Sequence, residues 1–179
     1  KKMAYQKLQV SEALSVITSD DVRIPDPSTV VVLDTATGQT VGTAAFTANT
    51  LTTATPVAPG FTTAGIQVGA IIYNTTAGIA YTVTGITSDT VLAITPATAG
   101  GATDSYSIYT KATIGCALFV GGTGNVKVQM AQQNGNTSSA AAPANETVLY
   151  KNIANASFLP IQVVRVDDDT TATDIIAMW

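Results

Sequence analysis

The chain has 179 residues, enough for one domain with a sizeable core or for two small ones. Charged residues make up only 11% of it and 30 residues are Thr, so hydroxyl and small side chains must cover much of its surface. The net charge is −4 and the Lys and Arg residues form no cluster, which argues against a nucleic-acid groove.

The chain contains no His and a single Cys. The missing His removes the commonest general base and the commonest metal ligand, so Ser-His-Asp and Cys-His catalytic arrangements are excluded. A lone Cys cannot form an internal disulfide, so nothing indicates a secreted disulfide scaffold. We find neither a signal-peptide pattern nor an apolar run as long as a membrane span, and we expect a soluble protein made in a bacterial cytoplasm.

In chain order, the elements begin with residues 3–28, which we interpret as largely an extended arm. Tyr5–Ile17 carries an apolar stripe that a short helix could use. Pro25 and Pro27 then break any helix, because proline fixes φ and pushes the preceding residue towards extended backbone. An ordinary lead-in strand is the alternative for this stretch, and the sequence favours neither.

Strand signals follow about every ten residues, which is typical of an all-β protein. Thr29–Asp34 is a run of Val and Leu, and the turn Thr35–Gly38 leads to a returning strand at Gln39–Phe46. Segments 79–84 and 106–109 alternate apolar and polar residues as half-buried strands do. The further predicted strands are Ile66–Tyr73, Ile79–Ile86, Val91–Thr95, Tyr106–Thr110, Cys116–Val120, Val126–Met130, Thr147–Tyr150, Phe158–Val166 and Asp174–Met178.

These segments predict an all-β fold, with a β-sandwich or barrel core and an inserted small β module. Residues 1–28 are expected to be an N-terminal arm. We expect residues 29–42 and 112–179 to form the β core domain together, and residues 43–111 to form the inserted small β domain. Pro160 lies inside a predicted strand and indicates an edge strand or a bulge, because proline cannot donate a ladder hydrogen bond.

One carboxylate cluster, Asp167–Asp169 with Asp174, is a candidate for calcium, which takes oxygen ligands. Its spacing does not match the calcium-binding loop pattern, so a solvated turn is the favoured interpretation. The run Gly121–Gly124 is predicted to be a turn and not a phosphate-binding loop, because the residues that follow alternate like a strand. Residues 136–145 are predicted to form a long exposed loop.

Cys116 lies in an apolar run and is expected to be an inert buried thiol. No base is present to activate it, and no second carboxylate group opposes the acidic cluster. We therefore expect no enzymatic activity, no cofactor and no required metal.

Stretches at both ends of the chain share a family resemblance. The C-terminal ones are Cys116–Gly122, Gly124–Val128, Ser157–Val163, Arg165–Val166 and the closing motif Thr170–Trp179. The N-terminal ones are Leu8–Gln9, Ala13–Asp20 and Ile24–Pro25. Together they resemble the head-spike base family of gene transfer agents and related structural proteins of tailed phages. The closing motif is the most specific part, although the family usually carries Gly where Asp169 stands.

The resemblance implies a position on the capsid surface of a virion, contact with the major capsid protein, and assembly into rings. It brings no catalytic residues. We therefore expect a non-enzymatic capsid decoration, cement or head-spike base protein that forms a trimer or pentamer and holds a spike or fibre protein, without membrane or nucleic-acid contact. The alternative is a tail or fibre-associated protein that contacts the host surface, although the internal repeats of a long fibre are not evident.

The assembly contacts are predicted at the two ends of the chain, with residues 43–111 projecting outward. An extended arm can add to a neighbour's sheet edge, where main-chain hydrogen bonds supply affinity. A large aromatic such as Trp179 is best used when buried, either against a partner or against its own domain. The residues predicted to make these contacts are Leu8, Val10, Ile17, Ile175, Ile176 and Trp179.

Overall fold

The computed structural model describes residues 10–53, 60–131 and 147–179. Within these ranges the regular elements are twelve β-strands and one short 3₁₀ helix, Pro27–Thr29, so the predicted all-β class is confirmed. Among the same residues, no helix is both long and apolar enough to cross a membrane. The strands are β1 (Ala13–Ser15), β2 (Gly42–Phe46), β3 (Thr50–Thr52), β4 (Ile71–Asn74), β5 (Ile79–Ser88), β6 (Val91–Thr95), β7 (Asp104–Tyr109), β8 (Cys116–Val120), β9 (Gly124–Met130), β10 (Thr147–Ile153), β11 (Ser157–Val166) and β12 (Ile175–Met178).

Six strands form a closed antiparallel barrel in the order β2-β3-β6-β5-β4-β7. Alternate residues of each strand point inward, and β-branched and aromatic side chains fill the interior. Three aromatic rings are in contact at its centre. Phe46 lies 5.3 Å from Tyr81 in a stacked pair and 6.0 Å from Tyr106 in an edge-on pair, measured between ring centroids.

The other six strands form an open sheet in the order β1-β12-β8-β11-β9-β10. Strand β11 pairs with β8 along its first half and with β9 along its second, and the register shifts between Leu159 and Val163. Pro160 lies in this shift within an interior strand, so of the two predicted alternatives the structure shows a local irregularity and not an edge strand. One face of the sheet carries the second core, made of Ile24, Cys116, Leu118, Val120, Val126, Val128, Val163, Val166, Ala172, Ile175 and Ala177.

The N-terminal segment is built into the sheet and packs against the barrel wall. Residues 13–15 pair with β12, so the helix considered for Tyr5–Ile17 does not form there. Farther along, the backbone N–H of Ser19 donates to the carbonyl of Val166 at 2.9 Å. A third apolar cluster then joins this segment to the outside of the barrel: Val22, Ile71, Tyr73, Ala80 and Tyr109, with Leu14, Ile17, Val30 and Ala112 against it.

We had expected residues 29–34 to pack with the C-terminal sheet, but they pack with the barrel. Val31 and Leu33 belong to the barrel core, and the N–H of Val31 donates to the carbonyl of Ile108 at 2.8 Å. An apolar run predicts burial but does not say which of two cores receives it, and this run forms isolated bridges in place of a regular strand. The turn after it is confirmed, because the N–H of Gly38 donates to the carbonyl of Asp34 at 2.8 Å.

The chain leaves the sheet for the barrel, and returns, through a two-stranded neck formed by residues 26–29 and 110–111. The N–H of Asp26 donates to the carbonyl of Lys111 at 2.9 Å, and the N–H of Thr110 donates to that of Thr29 at 3.1 Å. Both crossings therefore lie side by side at one place on the sheet.

Several strand boundaries differ from those predicted. The strand expected at Ile66–Tyr73 begins only at Ile71, because Gly65 and Gly69 adopt positive φ and place turns before it. The sequence interpretation missed β3, whereas β1 lies in the stretch for which a lead-in strand was the alternative to an arm; each strand has three residues. The loop predicted at residues 136–145 lies outside the described residues.

Candidate assembly surface

The two segments predicted to carry assembly contacts lie next to each other in the sheet. The N–H of Ser11 donates to the carbonyl of Trp179 at 2.7 Å, and the N–H of Trp179 donates to the carbonyl of Glu12 at 3.0 Å. Strand β1 continues this pairing along β12. The start and the end of the described chain thus form one continuous surface.

The arm residues named from the sequence have different environments. Leu8 lies outside the described residues. Val10 is 48% exposed, and Ile17 is half-buried and packs in the cluster that joins sheet and barrel. Val10 is therefore the described arm residue of this group with the most surface to offer a partner.

The three C-terminal residues also divide between the two faces of β12. Ile175 is buried in the core of its own sheet, which leaves it no surface for another chain. Ile176 is half-buried on the opposite face. Trp179 is half-buried, packs against the sheet core, and donates from Nε1 to the hydroxyl of Thr113 at 2.9 Å. The assembly role of these residues stays a prediction.

The face of the sheet opposite its core, called the outer face below, carries a row of four residues on neighbouring strands, of which three are apolar and one, on β1, is a serine; it is called the apolar row below. In register, Ser15 of β1 lies opposite Ile176 of β12, Ile176 opposite Phe119 of β8, and Phe119 opposite Phe158 of β11. Directly paired residues share a face, so these side chains are neighbours. Phe158 is 41% exposed, and Phe119 and Ile176 are half-buried.

A second row, Ala13, Met178 and Ala117, runs beside the first and leads into a small pocket. The volume of the pocket is about 130 Å³. Among the described residues that line it, no side chain is charged and Gln162 supplies the one side-chain amide. The lining residues are Val10, Gly115, Cys116, Ala117, Gln162, Met178 and Trp179.

Ile114 stands next to this pocket and is 95% exposed. Its position is set by Thr113, whose buried hydroxyl accepts hydrogen bonds from the N–H of Gly115 at 3.0 Å and from Trp179 Nε1 at 2.9 Å. Gly115 has a φ of 151°, and a Cβ there would lie 2.5 Å from the side-chain oxygen of Gln162. The backbone on both sides of Ile114 is therefore fixed.

The acidic cluster predicted to be a solvated turn is only partly so. Asp168 and Asp169 are exposed, but Asp167 is buried and its carboxylate accepts from Arg165 Nε at 3.0 Å. Lys127 Nζ lies 2.7 Å from the Asp169 carboxylate and 3.4 Å from that of Asp167. The hydrogen bond to Asp169 raises the pKa of Lys127.

These ion pairs engage the carboxylates of Asp167 and Asp169, and the described residues contain no cluster of His, Cys, Asp or Glu that could hold a metal ion.

The glycine run is a turn, as predicted, and leads into strand β9. The N–H of Gly121 donates to the carbonyl of Asp174 at 3.0 Å, and that of Gly122 to the carbonyl of Thr173 at 2.9 Å. A Cβ on Gly124 would lie 2.6 Å from the Cα of Ala172. The glycines thus allow this turn to contact the segment before β12, a contact that spacing alone does not reveal.

The expected buried thiol is confirmed. Cys116 is buried at the start of β8 and its thiol donates to the carbonyl of Val163 at 3.3 Å. Burial raises the pKa of Cys116 to about 12, so the thiol is protonated at neutral pH and unsuited to nucleophilic attack.

Ile114, Phe119 and Phe158 were not singled out as candidate residues by the sequence. Alternation along Cys116–Val120 places Phe119 opposite to Cys116 and Leu118, so its outward position could have been inferred. Its alignment with Phe158 depends on strand register, which the sequence does not contain. Ile114 is preceded by Thr and followed by Gly, a weak signal of a turn.

The fold and the surface define an all-β chain with a closed barrel, an open sheet and an apolar outer face. Comparison with protein-family models, with curated proteins and with solved structures found no match to this chain. The function is therefore inferred from the surface and from the resemblance of the two ends of the chain.

Proposed function

We propose that this chain is a structural, non-enzymatic protein of a tailed-phage virion, which binds the major capsid protein as a capsid decoration, cement or head-spike base protein. The observation that carries the proposal is the apolar row on the outer face. Its four residues, Ser15, Ile176, Phe119 and Phe158, fall in four separate stretches that resemble the head-spike base family. The resembling stretches thus meet on one surface.

The chemistry of this surface suits attachment to a protein. Burying a Phe or Ile side chain that is otherwise in water stabilises a complex by about 1.5–3 kcal/mol when the burial is complete. Partial burial of a few such residues gives a modest single contact. On a capsid, many copies linked to one another bind together, and linkage converts modest contacts into tight attachment.

The barrel, in contrast, suits a position that projects away from the capsid. Each of its strands is paired on both sides, so it offers no free strand edge for a neighbour. Many of its exposed positions are Thr, which tolerates solvent. We propose that the sheet attaches to the capsid and the barrel projects from it.

Binding to capsids tests the proposal. Heads of the virus or gene transfer agent that encodes the chain, prepared without this protein, are incubated with purified protein and sedimented. We expect the wild type to sediment with the heads and Phe158→Asp to stay in the supernatant, because a charge replaces the most exposed apolar side chain of the row. Val68→Asp is the matched control, since Val68 is 67% exposed but lies next to the barrel strands.

Two outcomes would overturn the proposal: a wild type that does not bind heads, or a Phe158→Asp variant that binds as the wild type does. Antibody labelling of complete virions gives a second measurement. Label on the tail in place of the head would overturn capsid attachment and support the tail or fibre alternative.

A further inference from the structure

Ile114 and the pocket beside it form a matched projection and cavity on one surface. The side chain of Ile114 is 95% exposed, and the lining of the pocket begins at the next residue, Gly115. We infer that Ile114 of one copy fills the pocket of a second copy, and that the second copy's Ile114 fills the pocket of the first, in a two-fold symmetric contact.

The projection is rigid before any partner arrives. Thr113 and Cys116 are buried on either side of Ile114, and the Thr113 hydroxyl accepts a hydrogen bond from the N–H of Gly115. The backbone N–H of Thr113 also donates to the carbonyl of Ile24 at 2.9 Å. Because this turn cannot easily withdraw Ile114, little conformational entropy is lost when the side chain is buried by a partner.

The pocket fits an aliphatic side chain. Its volume of about 130 Å³ is well above the roughly 10–15 Å³ that a single water needs on this measure, so it has room for several waters. Waters there meet mainly apolar atoms of Val10, Ala117, Met178 and Trp179, so they have few hydrogen-bond partners. Replacing them with the side chain of an isoleucine is favourable because it removes apolar surface from water on both sides.

The adjacency of projection and cavity favours a two-fold pair over a head-to-tail ring, so this contact differs from the trimer or pentamer expected from the sequence. In a ring, one neighbour would occupy the pocket and a different neighbour would receive Ile114, and the two would compete for the same space. In a two-fold contact a single neighbour does both. Ile114 and the described residues that line the pocket all have uncharged side chains, so these side chains bring no like charges together.

The sole Trp of the chain reports on this contact, because Trp179 lines the pocket. We expect sedimentation over a concentration series to show dimers of the wild type, and the emission of Trp179 to shift to shorter wavelength as they form. Ile114→Ser should weaken dimerisation by at least about tenfold, because each dimer loses two buried isoleucines. Its emission should stay that of the monomer over the same concentrations.

Val68→Ser removes a comparably exposed aliphatic side chain elsewhere and should dimerise as the wild type does. Circular dichroism and thermal unfolding check that both variants are folded. A wild type that stays monomeric with constant Trp179 emission overturns the inference, and so does an Ile114→Ser variant that associates as the wild type does.

The proposed contact between two copies does not depend on capsid binding, so the two proposals can fail separately. Dimers that do not bind heads would leave it standing and overturn the proposed function. Monomers that bind heads would do the reverse.

Discussion

The barrel and the sheet are built from the same Thr- and Val-rich composition, yet they place their apolar side chains differently. The barrel closes on itself and turns its rings inward, with Phe46, Tyr81 and Tyr106 in contact at its centre. The sheet stays open and carries apolar side chains on both faces, with Phe158 exposed on the outer one. Closure leaves the barrel without a free strand edge, whereas the open sheet leaves apolar side chains exposed.

The two open edges of the sheet differ as well. Strand β10 shifts register between Tyr150 and Ile153, and Asn152 between them has a φ of 56°. Such a bulge twists an edge away from neighbours and discourages pairing with another chain. Strand β1 has only three residues, which limits pairing in another way. The outer face, and not either edge, is therefore the more accessible surface for contact.

The largest expected effect comes from emptying the barrel centre. Phe46→Ala should lower the free energy of unfolding by about 3–5 kcal/mol, because it removes a buried ring and leaves a cavity. Denaturant titration followed by circular dichroism measures the loss. The Cys116 thiol allows unfolding of the sheet to be followed separately, because it lies in the sheet core and its reactivity reports on that core alone.

Among the described residues the barrel and sheet cores share none, so we expect Cys116 to stay unreactive towards a thiol reagent in denaturant that already unfolds the Phe46→Ala barrel. Simultaneous loss of barrel signal and thiol protection would show that the cluster around Tyr73 and Tyr109 couples the two units into one transition.

A smaller effect is expected where the glycine turn contacts the segment before β12. Gly124→Ala should cost about 3 kcal/mol, because the new Cβ meets the Ala172 backbone and the positive φ is strained. Gly78→Ala is the matched control: its φ is 69° and a Cβ there meets nothing within 4 Å. It should cost about 1 kcal/mol from strain alone. Equal losses in thermal unfolding would mean that the contact with Ala172 is unimportant.

The smallest effect depends on pH and concerns the barrel. The Asp104 carboxylate accepts from Asn74 Nδ2 and from the N–H of Gly101, both at 2.7 Å, and these bonds hold its pKa below the usual value. A carboxyl group with a lowered folded-state pKa stabilises the fold above its unfolded-state pKa, and this stabilisation is lost as pH falls through the folded-state value.

The melting temperature of the wild type should therefore fall on acidification more steeply than that of Asp104→Asn, and the two should converge in acid. Parallel curves at all pH values would contradict this role for Asp104.

Local alternation was sufficient to locate most strands, and Val91–Thr95 and Cys116–Val120 were predicted to the residue. The short β3 was missed because three residues within a Thr-rich stretch carry too little pattern. Residues 29–34 were predicted to be a strand, but they form only isolated bridges, and the burial of Val31 and Leu33 in the barrel core depends on tertiary packing.

The candidate surface was less accessible from sequence than the fold. Its apolar row requires the register of β1, β12, β8 and β11, and register is set by long-range packing. Asp167 was expected in solvent because the three acidic residues are consecutive, whereas Arg165, two residues earlier, reaches back to neutralise it. Such a pairing becomes visible only when the direction of each side chain is known.

The neck between sheet and barrel has a consequence for how such a protein can evolve. Since the chain departs at Asp26–Thr29 and comes back at Thr110–Lys111 through paired backbone, everything beyond the neck is a cassette with adjacent ends. Recombination at that position can delete it, lengthen it or exchange it for another unit while the strand order of the sheet stays the same. The sheet can then be inherited unchanged while different units replace the barrel beyond the neck.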